Sequence, residues 1–232
     1  MTERATPGIT LLTETHDASC CETPTVSAQR AGGPGWEVAA RRARQLAWAS
    51  LAWMTAEGVL GLFAGYHAKS VALTGWAFGS VVEGLASIIV IWRLTGARTV
   101  SDTAEHWAQR AVAVSFWLLA PYIAAQAITD LVTRTHPAAT VLGVAVTATS
   151  LVVMPVLGAT KRRLARRLDS GATAGEGTQN YLCAAQAAAV LVALAVTAIW
   201  PAGWWVDPAI ALGLAAWAVR EGVETWNGED CC

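Results

Sequence analysis

The stretch Ala138–Arg167 reads AATVLGVAVTATSLVVMPVLGATKRRLARR. From Ala138 to Thr160 it carries no charge and is mostly aliphatic. Lys161, Arg162, Arg163, Arg166 and Arg167 follow at once. About 20 apolar residues span the hydrocarbon core of a bilayer, and basic residues collect on its cytoplasmic side. The stretch therefore reads as a membrane-spanning helix running into the cytoplasm. Five further stretches have the same character: Leu46–Tyr66, Ser70–Trp92, Trp107–Val132, Tyr181–Trp200 and Trp204–Val219. Trp48, Tyr66, Trp92, Trp107, Trp200, Trp204 and Trp205 crowd their ends, where amphipathic rings suit the headgroup level.

The charges between these stretches fix their order across the bilayer. Arg41, Arg42 and Arg44 precede the first. Arg93, Arg98 and Arg110 lie between the second and third, and Arg220 follows the sixth. The opposite connections carry only Lys69 and Arg134. Every other connection is basic, which six spans predict when both termini are cytoplasmic. The expected fold is thus all-α: a polytopic membrane protein with a six-transmembrane-helix bundle over residues 41–222. A disordered cytoplasmic tail (1–40) precedes it and a short cytoplasmic tail (223–232) ends in Cys-Cys. The chain has 232 residues, 54% hydrophobic and 14% charged, so it lacks the charged helix faces of a soluble domain. A net charge of -1 provides no basic field for nucleic acid. No secretory leader, Gly-rich phosphate loop, CxxC, HExxH or nucleophile–base pair is visible, so no enzyme is expected.

Ionisable groups at bilayer depth are expensive and mark function by default. Glu57 sits near the middle of span one and Glu83 near the middle of span two. Either alone is equally well a packing residue held by a hydrogen bond, but two at similar depth on adjacent spans favour function. Span five opens with Glu176, Gln179, Cys183 and Gln186, a spacing that sets one polar stripe on one helical face. Cys183 by itself suits a small core residue; facing carboxylates, it completes a metal site. Span three carries Tyr122, Gln126 and Asp130 on one face, with Asp130 near the outer end and solvated. Asp207 before Pro208 reads as a helix start.

These residues carry a resemblance. Ser70-Val71-Ala72-Leu73 with Gly79-Ser80-Val81-Val82-Glu83-Gly84-Leu85-Ala86-Ser87 resembles the second span of the cation diffusion facilitators. Ser170 with Glu176-Gly177-Thr178-Gln179-Asn180-Tyr181-Leu182-Cys183 resembles their fifth. The basic connection before span five and the Trp-Trp-x-Asp-Pro entry to span six agree. The resemblance covers about Leu46 to Trp226. It implies export of a divalent cation, usually zinc, from the cytoplasm, commonly in exchange for protons. It places the site between spans two and five, on pairs that fall here on Gly79 and Glu83 and on Gln179 and Cys183. The sequence departs from the resemblance in that no counterpart of the family's cytoplasmic C-terminal domain is expected. Gly79 supplies no side-chain ligand and Gln179 only a neutral amide oxygen. Glu57 from span one and Glu176 from below are expected to complete the set. Carboxylates with one thiolate suit zinc, cadmium or cobalt over magnesium or calcium.

Thus the expected function is a cell-membrane transporter exporting a divalent metal cation. Glu83, Cys183, Gln179, Glu57 and Glu176 are its metal-contacting residues, protons the counter-ion, and there is no resident cofactor. The alternative is a non-transporting sensor or partner subunit with a degenerate site. Gly58, Gly61 and Gly65 permit close helix packing, which leaves room for a homodimer formed through the spans. In the tails, His16, Asp17, Cys20, Cys21 and Glu22 form one cluster, and Glu229, Asp230, Cys231 and Cys232 another. Each suits capture of borderline metals, incidental thiols on a flexible tail, or lipidation.

Overall fold

The computed structural model describes residues 33–68, 71–134 and 141–228. Both cysteine-bearing tail clusters, Lys69 and Ser70 lie outside these. Six α-helices follow one another: α1 (Pro34–Ala68), α2 (Val71–Arg93), α3 (Asp102–Thr133), α4 (Val141–Leu168), α5 (Gly171–Ile199) and α6 (Val206–Asn227). Single 3-10 turns, Gly96–Val100 and Pro201–Trp205, lead into α3 and α6. No strand occurs among the described residues. Five helical stretches are long and apolar enough to cross a membrane: Pro34–Phe63, Asp102–Thr133, Val144–Leu168, Gly171–Ile199 and Ala202–Asn227.

Several helices extend beyond the apolar runs that reveal them. The sequence places a tail through Ala40, but α1 starts at Pro34. A proline at the first helical position loses nothing, because its missing N–H would have no partner there. The added turns bury Trp36, Ala39 and Ala40 in the core. The basic connection 161–167 is not a loop either: α4 runs through it to Leu168. Likewise α5 begins at Gly171, ten residues before Tyr181. Ser170 caps it, its Oγ accepting from Thr173 N at 3.2 Å. Ser101 caps α3 in the same way through Ala104 N. Asp207 does not cap α6; Trp205 holds the cap position and Asp207 lies inside the first turn.

One carboxylate ties three helix ends together. Glu105, in the first turns of α3, pairs with Arg93 at the end of α2 at 2.8 Å. It also accepts from Ser170 Oγ at 2.9 Å and from Ala172 N at 3.0 Å at the start of α5. Charge-assisted contacts of this kind hold the C-terminal end of α2 and the N-terminal ends of α3 and α5 in register.

The interior is built from small residues. Ala43, Ala47, Ala86, Ala108, Ala172 and Ala218 are buried beside Val90, Val112, Phe116 and Leu182. Small side chains let helix backbones approach closely. One close approach joins α4 to α5: a Cβ on Gly158 would stand 2.8 Å from the carbonyl oxygen of Gly177. The exterior is the reverse of a soluble protein. Phe63 is 65% exposed, Val132 78%, Val152 67% and Ile199 87%. A continuous apolar surface of this extent belongs in lipid. Helix α2 packs against α1, α3 and α5, and α5 against α2, α3, α4 and α6. The polar stripe of α5 is thus central in the bundle.

Candidate functional site

Glu83, on the middle of α2, is 8% exposed and Cys183, on α5, is 9% exposed. Their side chains meet in a hydrogen bond across the two helices. Glu57 on α1 is 5% exposed and lies close enough to interact electrostatically with both. Its carboxyl accepts from Ser150 Oγ of α4 at 2.5 Å, and that hydroxyl in turn accepts from Trp53 Nε1 at 3.1 Å. Gln179 lies one helical turn below Cys183 and is buried, with neither amide atom hydrogen-bonded among the described residues. A buried polar group without a partner costs about 1–3 kcal/mol, so this amide stands out.

Glu176 does not join that group. Seven residues separate it from Cys183, roughly 10 Å along the helix axis. It pairs instead with Lys161 of α4 at 2.8 Å. The Lys161 ammonium is fully buried and donates three hydrogen bonds: to Glu176, to Ser50 Oγ of α1 at 2.6 Å and to Asn180 Oδ1 at 3.0 Å. Asn180 Nδ2 donates to Ser50 Oγ and to Met154 Sδ. Counting Lys161 among loop charges overlooks this network. The signal was present in the spacing: Ser150, Met154, Gly158, Lys161, Leu164, Ala165 and Leu168 form the buried face of α4, and Lys161 stands on it.

Sequence reasoning also missed what surrounds the cysteine. Met54 of α1 and Met154 of α4 pack in one buried cluster with Cys183 and Ala184. Two thioethers and a thiol make this part of the interior soft and polarisable. At Gly79, one turn from Glu83 on the same face of α2, the missing side chain has a neighbour in its place. A Cβ there would stand 3.1 Å from Cε1 of Tyr122, on α3. No group of three or more His, Cys, Asp and Glu occurs together among the described residues.

An all-helical bundle with an apolar exterior and a buried carboxyl–thiol pair at its centre defines a multi-pass membrane protein with a polar interior site. Residues 47–226, from α1 to α6, match the cation efflux transmembrane domain. The chain belongs to that family, which makes it a metal-cation transporter by class.

Proposed function

We propose that this protein exports a divalent metal cation from the cytoplasm across the cell membrane in exchange for protons. In this reading the chain crosses the bilayer six times with both termini cytoplasmic. The metal is substrate, with no resident cofactor and no chemistry beyond transport. Zinc fits best, with cadmium and cobalt next, because the donors are a carboxylate, a thiolate and an amide oxygen rather than oxygen alone. The observation that carries the reading is the Glu83–Cys183 contact between α2 and α5, with the unpartnered Gln179 amide one turn below it. Glu57 adds negative charge from the α1 side. Glu176, already paired with Lys161, is left out of the ligand set.

The exchange follows from the donors. A thiol and a carboxyl bind metal only after losing their protons, so metal and protons compete for one pair of groups. Metal arriving from the cytoplasm displaces protons there, and protons arriving from the far side displace the metal.

The second reading, a sensor or partner subunit that does not transport, draws support from Gly79 and from the lack of a three-residue metal cluster among the described residues. Reconstitution decides between them. Proteoliposomes loaded with a zinc-sensitive dye and given a proton gradient should accumulate zinc with the parent protein. Absence of gradient-dependent uptake, with the protein folded in the membrane, would favour the second reading.

A further inference from the structure

We infer that a groove on the lipid-facing side of α3 binds an anionic phospholipid, with one acyl chain in the groove and the phosphate on the guanidinium of Arg110. The inference is independent of the metal site and its chemistry. The groove is formed by α2, α3 and the end of α6 and encloses about 510 Å³, within the range of roughly 300–1,000 Å³ that holds small ligands. Along α3 its lining runs from Trp107 and Arg110 through Val114 to Leu118, positions that share one helical face. Ala111 and Ser115 lie between them, and their short side chains leave the hollow. Leu85 and Ile89 of α2 supply a wall, and Trp226 of α6 stands beside Arg110.

Charge and hydrocarbon are separated along the groove. The Ser115 hydroxyl donates within its own helix, to the carbonyl oxygen of Val112 at 2.6 Å. Towards Leu118 the lining is therefore hydrocarbon and a hydroxyl already bonded. Arg110 marks the other end, exposed, its guanidinium carbon 5.1 Å from the centre of the Trp226 ring. It forms no ion pair among the described residues, and no carboxylate lines the groove. Trp107 packs there on Trp92 with ring centres 5.1 Å apart, and Arg98 stands over Trp92 at 4.7 Å. Tryptophan and arginine gathered in this way mark the headgroup level. Eight residues lead from Arg110 to Leu118, a rise of about 12 Å, against about 15 Å for half of the hydrocarbon core. The groove thus has the depth of one leaflet. In the topology proposed above it is the cytoplasmic leaflet, where anionic headgroups meet basic pockets between helices. A second copy of the chain docked through the same groove would bring Arg110 towards Arg110 with no carboxylate to offset it. A lipid phosphate brings the opposite charge.

The test uses the full chain in detergent and native mass spectrometry, with dioleoylphosphatidylglycerol and dioleoylphosphatidylcholine titrated separately. The parent should hold one phosphatidylglycerol more tightly than phosphatidylcholine. Arg110→Gln should weaken phosphatidylglycerol roughly fivefold, the worth of one arginine at an anionic surface, and leave phosphatidylcholine unchanged. Arg41→Gln, the same charge lost from an exposed position outside the groove, should change neither. Val114→Trp fills the groove from a position 41% exposed and should weaken both lipids. Equal affinity of the parent for the two lipids would overturn the proposal, as would equal losses in Arg110→Gln and Arg41→Gln. Undiminished binding in a folded Val114→Trp would place the lipid elsewhere and overturn it as well. Dimers that persist in saturating phosphatidylglycerol, and that Val114→Trp separates, would give the groove to a second copy instead. If Val114→Trp lowers the thermal midpoint, the comparison of the two arginine variants decides.

Discussion

Helix α5 passes through two polar clusters offset by about one turn, and they are built on opposite plans. In one, Glu176 and Asn180 surround an ammonium that belongs to the protein, that of Lys161. In the other, Cys183 meets Glu83 with Glu57 nearby and Gln179 one turn away, and among the described residues no Lys or Arg pairs with either carboxyl. The donors are similar and the burial is similar. The difference is whether the positive charge is covalently attached. A fixed cation turns buried acceptors into structure. The same kind of acceptors without one form a place where a mobile cation, proton or metal, has to supply the charge. The comparison teaches that buried polar groups on one helix are cohesive where a lysine neutralises them and, under the function proposed above, serve exchange where none does.

The largest expected effect is at the exchange level. Glu83→Gln keeps the shape and loses the charge, so proton-driven zinc uptake should vanish while the thermal midpoint in detergent stays near that of the parent. Uptake at the parent rate would erase the distinction drawn above. At the cohesive level the pattern should reverse. Lys161→Met leaves Glu176 buried without its partner, a loss of about 3–5 kcal/mol, seen as a lower midpoint or poor expression. The double variant K161M/E176L removes both charges and should recover much of it; a failure to recover would mean that Ser50 and Asn180 rely on the ammonium more than Glu176 does. Cys183→Ser is expected to act on selectivity. Its harder oxygen should cut uptake of cadmium more than that of zinc, and equal losses for both would remove the thiol from the ligand set. The smallest effect is at Gln179. Among the described residues its amide makes no hydrogen bond to lose, so Gln179→Leu should leave stability unchanged or raise it by about 1 kcal/mol while weakening metal binding.

The bundle was legible because apolar runs and alternating basic connections are strong, local signals. The pairing of Glu83 with Cys183 was legible too: two polar groups at one depth on adjacent helices have few other partners. What escaped was set by contacts remote in sequence. Lys161 sits among arginines and looks like one more interfacial charge; only the continuation of α4 to Leu168, with the buried period running through it, turns it inward. Glu176 entered the expected metal set because it continues the polar stripe of α5, and only the Lys161 ammonium, remote in that reading, takes it elsewhere. Tyr122 shares its helix face with Gln126 in any helical wheel, but its meeting with Gly79 depends on how α3 leans on α2. The early start of α1 was hidden because Gly33-Pro34-Gly35 resembles a loop, although proline is at ease in a first helical turn.

The touching backbones of Gly158 and Gly177 have a mechanical consequence. Backbone meets backbone there, with the side chains of Tyr181 and Arg162 alongside, and the Lys161–Glu176 bond fastens the same two helices within one turn of that contact. The α4–α5 hairpin is therefore a plate rather than a pair of rods. A disulfide or chemical staple joining α4 to α5 should leave turnover intact, whereas one joining α2 to α5 should stop it. Cys183 rides on the plate, and Glu83 on α2, which packs against α5. In any cycle that shows the pocket first to one side of the bilayer and then to the other, the thiol is the anvil and the carboxylate the part that travels.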